Sequence, residues 1–144
     1  MNFSKYWILF LFVVPFVLPA QELAGTKWIL TGIDNLQTGI SKDVAATVKV
    51  TVVFDSDSTY SGRFCSNFNG RFKYNASSHL IKFGTPSHTR MMCIGIDKDE
   101  NETFTLMTQA VKYRMNGESL FIFTTNQKRL SLKRDTGQNP ATKK

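Results

Sequence analysis

Two cysteines, two histidines and two tryptophans are all that 144 residues hold of the side chains most used as metal ligands, bases and interface anchors. Neither cysteine has a neighbour at metal-ligand spacing, and His79 and His88 stand alone, so neither a metal nor any other cofactor is expected. Nucleophilic catalysis needs a Ser, Cys or Thr with a base in reach and a third group to orient that base. The chain has no Gly-x-Ser-x-Gly elbow, no glycine-rich phosphate loop, no His-x-x-x-His pair and no dinucleotide fingerprint. His79, at the start of a polar strand, and His88, just before Thr89, are read as surface or loop histidines, and no enzyme is expected. Long apolar runs are missing too. The longest, Tyr6 to Val17, is shorter than the ~20 residues of a spanning helix and contains Pro15. Acidic residues are in deficit, 11 against 18 Lys and Arg, for a net charge of +7. There is no internal repeat. An apolar content of 42% excludes wholesale disorder, and the length suits one domain with its own core.

What is present begins with a leader-like segment. Lys5 supplies a positive start, the apolar run follows, and Pro19-Ala20 ends it, which is the plan of a secretory signal peptide over residues 1–20. The competing reading is an uncleaved membrane anchor. No cysteine lies near Ala20 to carry a lipid. Cleavage there removes one lysine and no acid, so the net charge falls from +7 to +6. The expected destination is periplasmic or extracellular.

Residues 21–134 then read as strands separated by turns. TKWILT (26–31) is extended, and Asp34 to Asp43 is a polar loop. In Thr47 to Phe54, Val48, Val50, Val52 and Phe54 share one face at period 2, so the strand is half buried. Asp55-Ser56-Asp57-Ser58 and Asn75-Ala76-Ser77-Ser78 are turn clusters. Between and after them lie extended stretches at 59–64, 68–74 and 80–83. Gly84-Thr85-Pro86 is a breaker. The run Asp97 to Glu102 concentrates negative charge where a helix N-terminus favours it. Phe104, Met107 and Val111 follow at i, i+3 and i+7, predicting a helix near Asn101 to Tyr113 with Lys112 and Arg114 in its last turn and Asn116-Gly117 as its stop. A calcium loop is the rival reading of the acidic run, but the glycine such a loop needs at its sixth position is missing. SLFIFT (119–124) and RLSLK (129–133) form a hairpin. Residues 135–144 are read as a disordered tail. The fold class is mainly β (α+β): a small antiparallel barrel or strongly curved sheet with one packed helix.

The central stretch runs from Gly62 to Cys93 and contains both cysteines. An even count in an exported chain suggests a Cys65–Cys93 bridge, closing a loop of about 28 residues and worth on the order of 3 kcal/mol. Two buried free thiols are the alternative. Phe64, Phe68, Met91 and Met92 flank the pair, so both sulfurs are expected against the core. The pattern around them resembles the META domain family, also called HslJ-like, of bacterial envelope proteins. Leu23, Gly25, Trp28 and Leu30 match a Leu-x-Gly-x-x-Trp-x-Leu motif. Gly62, Cys65, Phe68, Gly70 and Phe72 match a glycine, cysteine and aromatic-x-Gly-x-aromatic step. Thr89, Met91 and Cys93 match Thr-x-Met-x-Cys. Glu100 or Glu102, followed by Tyr113, matches an acidic residue before a helix ending in an aromatic. One departure is Ser66, where the family has Asn. The resemblance implies a lipocalin-like barrel with one helix, and an envelope role related to stress or antibiotics.

The basic balance, including Arg63, Arg71, Lys73 and Lys82 near the cysteine corner and Lys128, Arg129, Lys133 and Arg134 near the end, has three readings. Binding of single-stranded nucleic acid is set aside because of the expected export. Peripheral attraction to anionic membranes or polymers, and plain solubility, remain. Phe64, Phe68, Phe72, Phe83, Phe121 and Phe123 are assigned to core packing, with the lining of a cavity for a small apolar ligand as the alternative. The function expected is a non-enzymatic envelope role with an envelope protein, polymer or small ligand as partner. The other function considered is that of a binding barrel.

Overall fold

The computed structural model describes residues 22–44 and 48–137. The expected leader, Thr47 and the last seven residues of the expected tail lie outside the described residues. Among the described residues ten strands form in chain order: β1 (Thr26–Asn35), β2 (Ser41–Asp43), β3 (Val50–Phe54), β4 (Thr59–Arg63), β5 (Asn67–Asn75), β6 (Leu80–Phe83), β7 (Ser87–His88), β8 (Ala110–Asn116), β9 (Ser119–Thr124) and β10 (Lys128–Arg134). One helix, α1 (Asp97–Thr108), sits between β7 and β8.

Period-2 patterning explains why the sheet closes. In β3, Val50, Val52 and Phe54 turn inward and Thr51 and Val53 outward. In β9, Leu120 and Ile122 turn inward, and in β10 Leu130 and Leu132. Each strand thus has one apolar face and must curl it away from water. The antiparallel order β10-β9-β8-β6-β5-β4-β3-β1 is closed by β1 pairing with β10, which makes an eight-stranded barrel. Trp28 marks the closure, facing Val52 of β3 on one side and Arg134 of β10 on the other. Short β2 extends the sheet beside the far half of β1, and β7 pairs with Phe68 and Asn69 of β5.

The interior is filled by its own side chains. Phe54, Phe72, Phe83 and Tyr60 pack ring against ring at centroid separations of 5.0 to 6.3 Å. Burial of such side chains contributes roughly 1.5–3 kcal/mol each. The Tyr60 hydroxyl donates to the Gly84 carbonyl at 2.9 Å, and burial pushes its pKa up to about 12. Phe121 and Phe123, assigned to the core from sequence, lie on the outward face of β9, where the Arg129 guanidinium covers the Phe121 ring at 4.7 Å.

The helix starts earlier and ends earlier than its periodicity predicts. Asp97, Asp99 and Glu100 occupy its first turn, and Phe104 and Met107 are buried. Val111, Lys112, Tyr113 and Arg114 are in β8 instead, and Val111 is 39% exposed. Val111 matches the helical spacing, but Val111-Lys112-Tyr113-Arg114-Met115 also alternates, and the barrel wall needs a strand between β6 and β9. Asn116-Gly117 accordingly turns the β8–β9 hairpin, with Gly117 at φ +57°. Within the expected polar loop, Ser41–Asp43 forms β2. Past β10, the Asp135 carboxylate meets Lys27 at 3.3 Å and its N–H donates to the Lys27 carbonyl, so the chain is tied down one residue beyond the expected domain end.

Candidate functional site

Two of the three motif glycines, Gly62 and Gly70, are explained by rings. Gly62 lies opposite Phe68, and Gly70 opposite Tyr60, in the β4–β5 pair. A Cβ on Gly62 would collide with the Thr51 carbonyl and the Phe68 ring, and one on Gly70 would stand 2.6 Å from the Tyr60 hydroxyl. Each glycine therefore serves as the floor for an aromatic ring from the neighbouring strand. Trp28 is fully buried, donates to Thr26 Oγ1 at 2.7 Å and lies under Arg134, 4.7 Å from its ring centroid. Leu23 is buried, its carbonyl accepting from the Thr26 hydroxyl, and Gly25, at φ +76°, makes the turn into β1.

The cysteine corner joins three elements. Cys65, in the β4–β5 turn, is bonded to Cys93, just before α1, with Cα atoms 6.2 Å apart. That lies inside the range of an unstrained bridge. Beside it, Thr89 N–H donates to the Asn67 carbonyl at 3.0 Å and Asn67 N–H donates back to Thr89 Oγ1 at 3.1 Å. The buried Glu100 carboxylate, 6% exposed, accepts the Ser66 N–H at 3.0 Å and so ties the helix start to the β4–β5 turn. Glu100 rather than Glu102 holds the corner. It does so through the backbone N–H of residue 66, whose serine side chain is itself buried. Phe104 carries the same link by packing, 5.1 Å from Phe68 and 5.2 Å from His88 between ring centroids.

The helix is fastened to the barrel end by ions as well. Glu102 accepts from Lys128 at 2.7 Å and meets Lys42 at 3.4 Å, and Lys42 also pairs with Asp99. The Lys128 hydrogen bond, with Lys42, holds the Glu102 carboxyl below its ordinary value, and the Asp99 hydrogen bond raises Lys42. The acidic run is thus spent on lysines and a backbone N–H. Among the described residues no three His, Cys, Asp or Glu side chains converge on a metal-sized site.

Met91 and Met92 do not shield the sulfurs. They are 52% and 97% exposed, although the neighbouring Cys93 is bonded to Cys65. His88 is exposed, with Nδ1 3.4 Å from the Thr89 carbonyl oxygen, and His79 presents its ring to Tyr113 at 5.9 Å. Of the motif residues, the fold thus brings Cys65, Cys93, Phe68 and Thr89 to one corner, adjoining Gly62, while Trp28 and Gly70 serve the barrel and Met91 faces solvent.

No motif in the sequence marks the hollow in the barrel wall. β6 and β8 register at one pair, Leu80 opposite Lys112, and then diverge. A hollow of about 680 Å³ opens there, lined by Tyr74, Leu80, Ile81, Ala110 and Val111 among others. It includes Gln109, whose Oε1 is buried without a hydrogen-bond partner. Lys73 and Lys82, also at its rim, line a second hollow of about 510 Å³.

The model of the META domain matches residues 21–137. The chain belongs to the META domain family. The fold of this META domain is shared by a protein from Burkholderia xenovorans solved by NMR, at 20% identity and a TM-score of 0.66, over 81% of this chain and 86% of that one. It is shared too by a DUF4847 family protein from Bacteroides vulgatus, at 10% identity and a TM-score of 0.62, over 81% and 96% of the two chains. No curated protein matches.

Proposed function

We propose that this META domain is an exported, non-catalytic protein of the bacterial envelope that acts by binding, with a stress-related role. The Cys65–Cys93 bond carries the reading. Structural disulfides persist in oxidising compartments, and this one clamps a turn, a loop and a helix start instead of presenting a Cys-x-x-Cys pair for exchange. The filled interior directs binding to the outer surface. Fractionation of a producing cell tests this. Protein from the exported fraction should begin at Gln21 and show no free thiol when unfolded without reductant, and mass analysis of what copurifies from envelope extract should name the partner. Cytoplasmic protein with two titratable thiols would sink the reading.

A second reading places a small, partly apolar ligand in the hollow between β6 and β8. Its volume exceeds the roughly 300 Å³ at which ligand sites begin, and its lining by Tyr74, Leu80, Ile81, Ala110 and Val111 suits an apolar group. Ligand shifts in NMR amide spectra at Leu80, Ala110 and Val111, abolished by Val111→Trp, are the expected result. Shifts spread evenly over the barrel count against it.

A further inference from the structure

Three of the seven large apolar side chains exposed among the described residues fall within four positions: Met91 at 52%, Met92 at 97% and Ile94 at 98%. They are not a slack loop. The segment is pinned at its start by the paired Thr89–Asn67 hydrogen bonds, and in its middle by Cys93, bonded to Cys65. At its end Ile96 N–H donates to the Cys93 carbonyl at 3.0 Å, and Gly95 at φ +84° makes the turn. The clamp holds the apolar side chains out and stops them folding back onto the core. Strand register puts the β1–β2 turn at the same end of the barrel, and there Leu36 and Ile40 are 49% and 69% exposed.

Charge says what covers this end. Arg63, two residues before Cys65, and Arg90 and Lys98, on either side of the loop, are exposed cations outside every described salt bridge. Of the nearby acids, Asp99 and Glu102 pair with lysines and buried Glu100 accepts the Ser66 N–H. Beside the loop, Asp97 Oδ1 accepts from the Cys93 N–H at 3.3 Å, while the three cations carry their charge outside the described salt bridges. The loop has no Trp or Tyr, the usual anchors of a protein interface. Flexible aliphatic side chains ringed by cations instead suit the boundary between headgroups and acyl chains of an anionic bilayer.

We propose that this barrel end docks on anionic phospholipid, with Met92 and Ile94 entering the interface and Arg63, Arg90 and Lys98 meeting headgroup phosphates. This names the partner for the binding reading above. It is tested without reference to export, so its failure leaves the fractionation result standing. The chain from Gln21 onward is sedimented with vesicles of phosphatidylglycerol and phosphatidylcholine, or of phosphatidylcholine alone. Wild type should bind the anionic vesicles and lose binding as salt rises. M92D/I94D should bind at least about tenfold more weakly, with an unchanged melting midpoint because both side chains lie in solvent. Lys133→Ala, on the wall toward the opposite end, should bind nearly as wild type does. Ile94→Trp should add an emission that shifts blue only on anionic vesicles. Equal sedimentation of wild type and M92D/I94D, an Ile94→Trp emission that stays unshifted, or equal binding to neutral vesicles would overturn the proposal. So would a wild-type dimer that M92D/I94D dissolves while neither form binds vesicles, which would assign the face to a protein partner.

Discussion

At the scale of single residues, the family motif is mostly packing chemistry. Gly70 has no room for a methyl group under the Tyr60 ring, whereas a Cβ on Gly84 would meet only the Arg71 carbonyl, at 3.4 Å. Gly70→Ala should therefore lower the thermal midpoint by an amount matching about 1–3 kcal/mol, and Gly84→Ala should leave it nearly unchanged. Buried Glu100 makes a sharper case. Glu100→Gln keeps an acceptor for the Ser66 N–H, while Glu100→Ala leaves that buried donor unpaired at a cost of about 1–3 kcal/mol. Urea denaturation of the two variants separates the loss of charge from the loss of the bond. The sequence names Gly62, Gly70 and Thr89 by pattern, but which ring or carbonyl each serves depends on partners in other strands.

At the scale of elements, α1 is the informative one. Its acidic start was legible because helix dipoles favour carboxylates at the N-terminus, whatever the tertiary context. Its end was not, since Val111 satisfies both the helical and the strand period. Three substitutions separate the assignments. Phe104→Ala removes a ring packed on Phe68 and should cost about 3–5 kcal/mol. Val111→Ala, on the outward side of β8, should cost well under about 1 kcal/mol. Glu102→Gln, in a partly exposed ion cluster, should cost about 0–1 kcal/mol at neutral pH. A Val111→Ala loss as large as that of Phe104→Ala, read from denaturation midpoints, would return residue 111 to the helix. The wall has its own weak element: β6 and β8 share one registered pair, while β1 and β10 pair from Trp28 to Asn35. Amide exchange should thus be slowest in β1 and β10 and faster along β6 and the start of β8.

At the scale of the whole molecule, acid and reductant should act on the same barrel end. Burial works to raise the Asp34 carboxyl, but hydrogen bonds from Ser131 and Ser41 and the Arg129 guanidinium outweigh it and hold the group low; Lys128 does the same for Glu102. Folded-state values below the unfolded ones mean that both groups stabilise the fold above about pH 4 and lose that contribution as the pH falls through the folded values. Melting midpoints should stay level down to about pH 5 and then fall, and Asp34→Asn should make that fall shallower. Replacing both cysteines by serine should cost about 3 kcal/mol while the barrel still folds. The sequence by itself determined most of the strands, the acidic helix start and the candidate cysteine pair, because alternation, turn residues and charge at a helix end act over a few neighbouring residues. Only the tertiary structure decided that β1 meets β10 to close the barrel, that residues 110–116 form wall and not helix, that Glu100 holds the Ser66 N–H, and that Met92 and Ile94 face solvent. Each of those outcomes depends on which distant strand lies alongside, and the energy that selects the partner is burial summed over the whole barrel, which no local window contains.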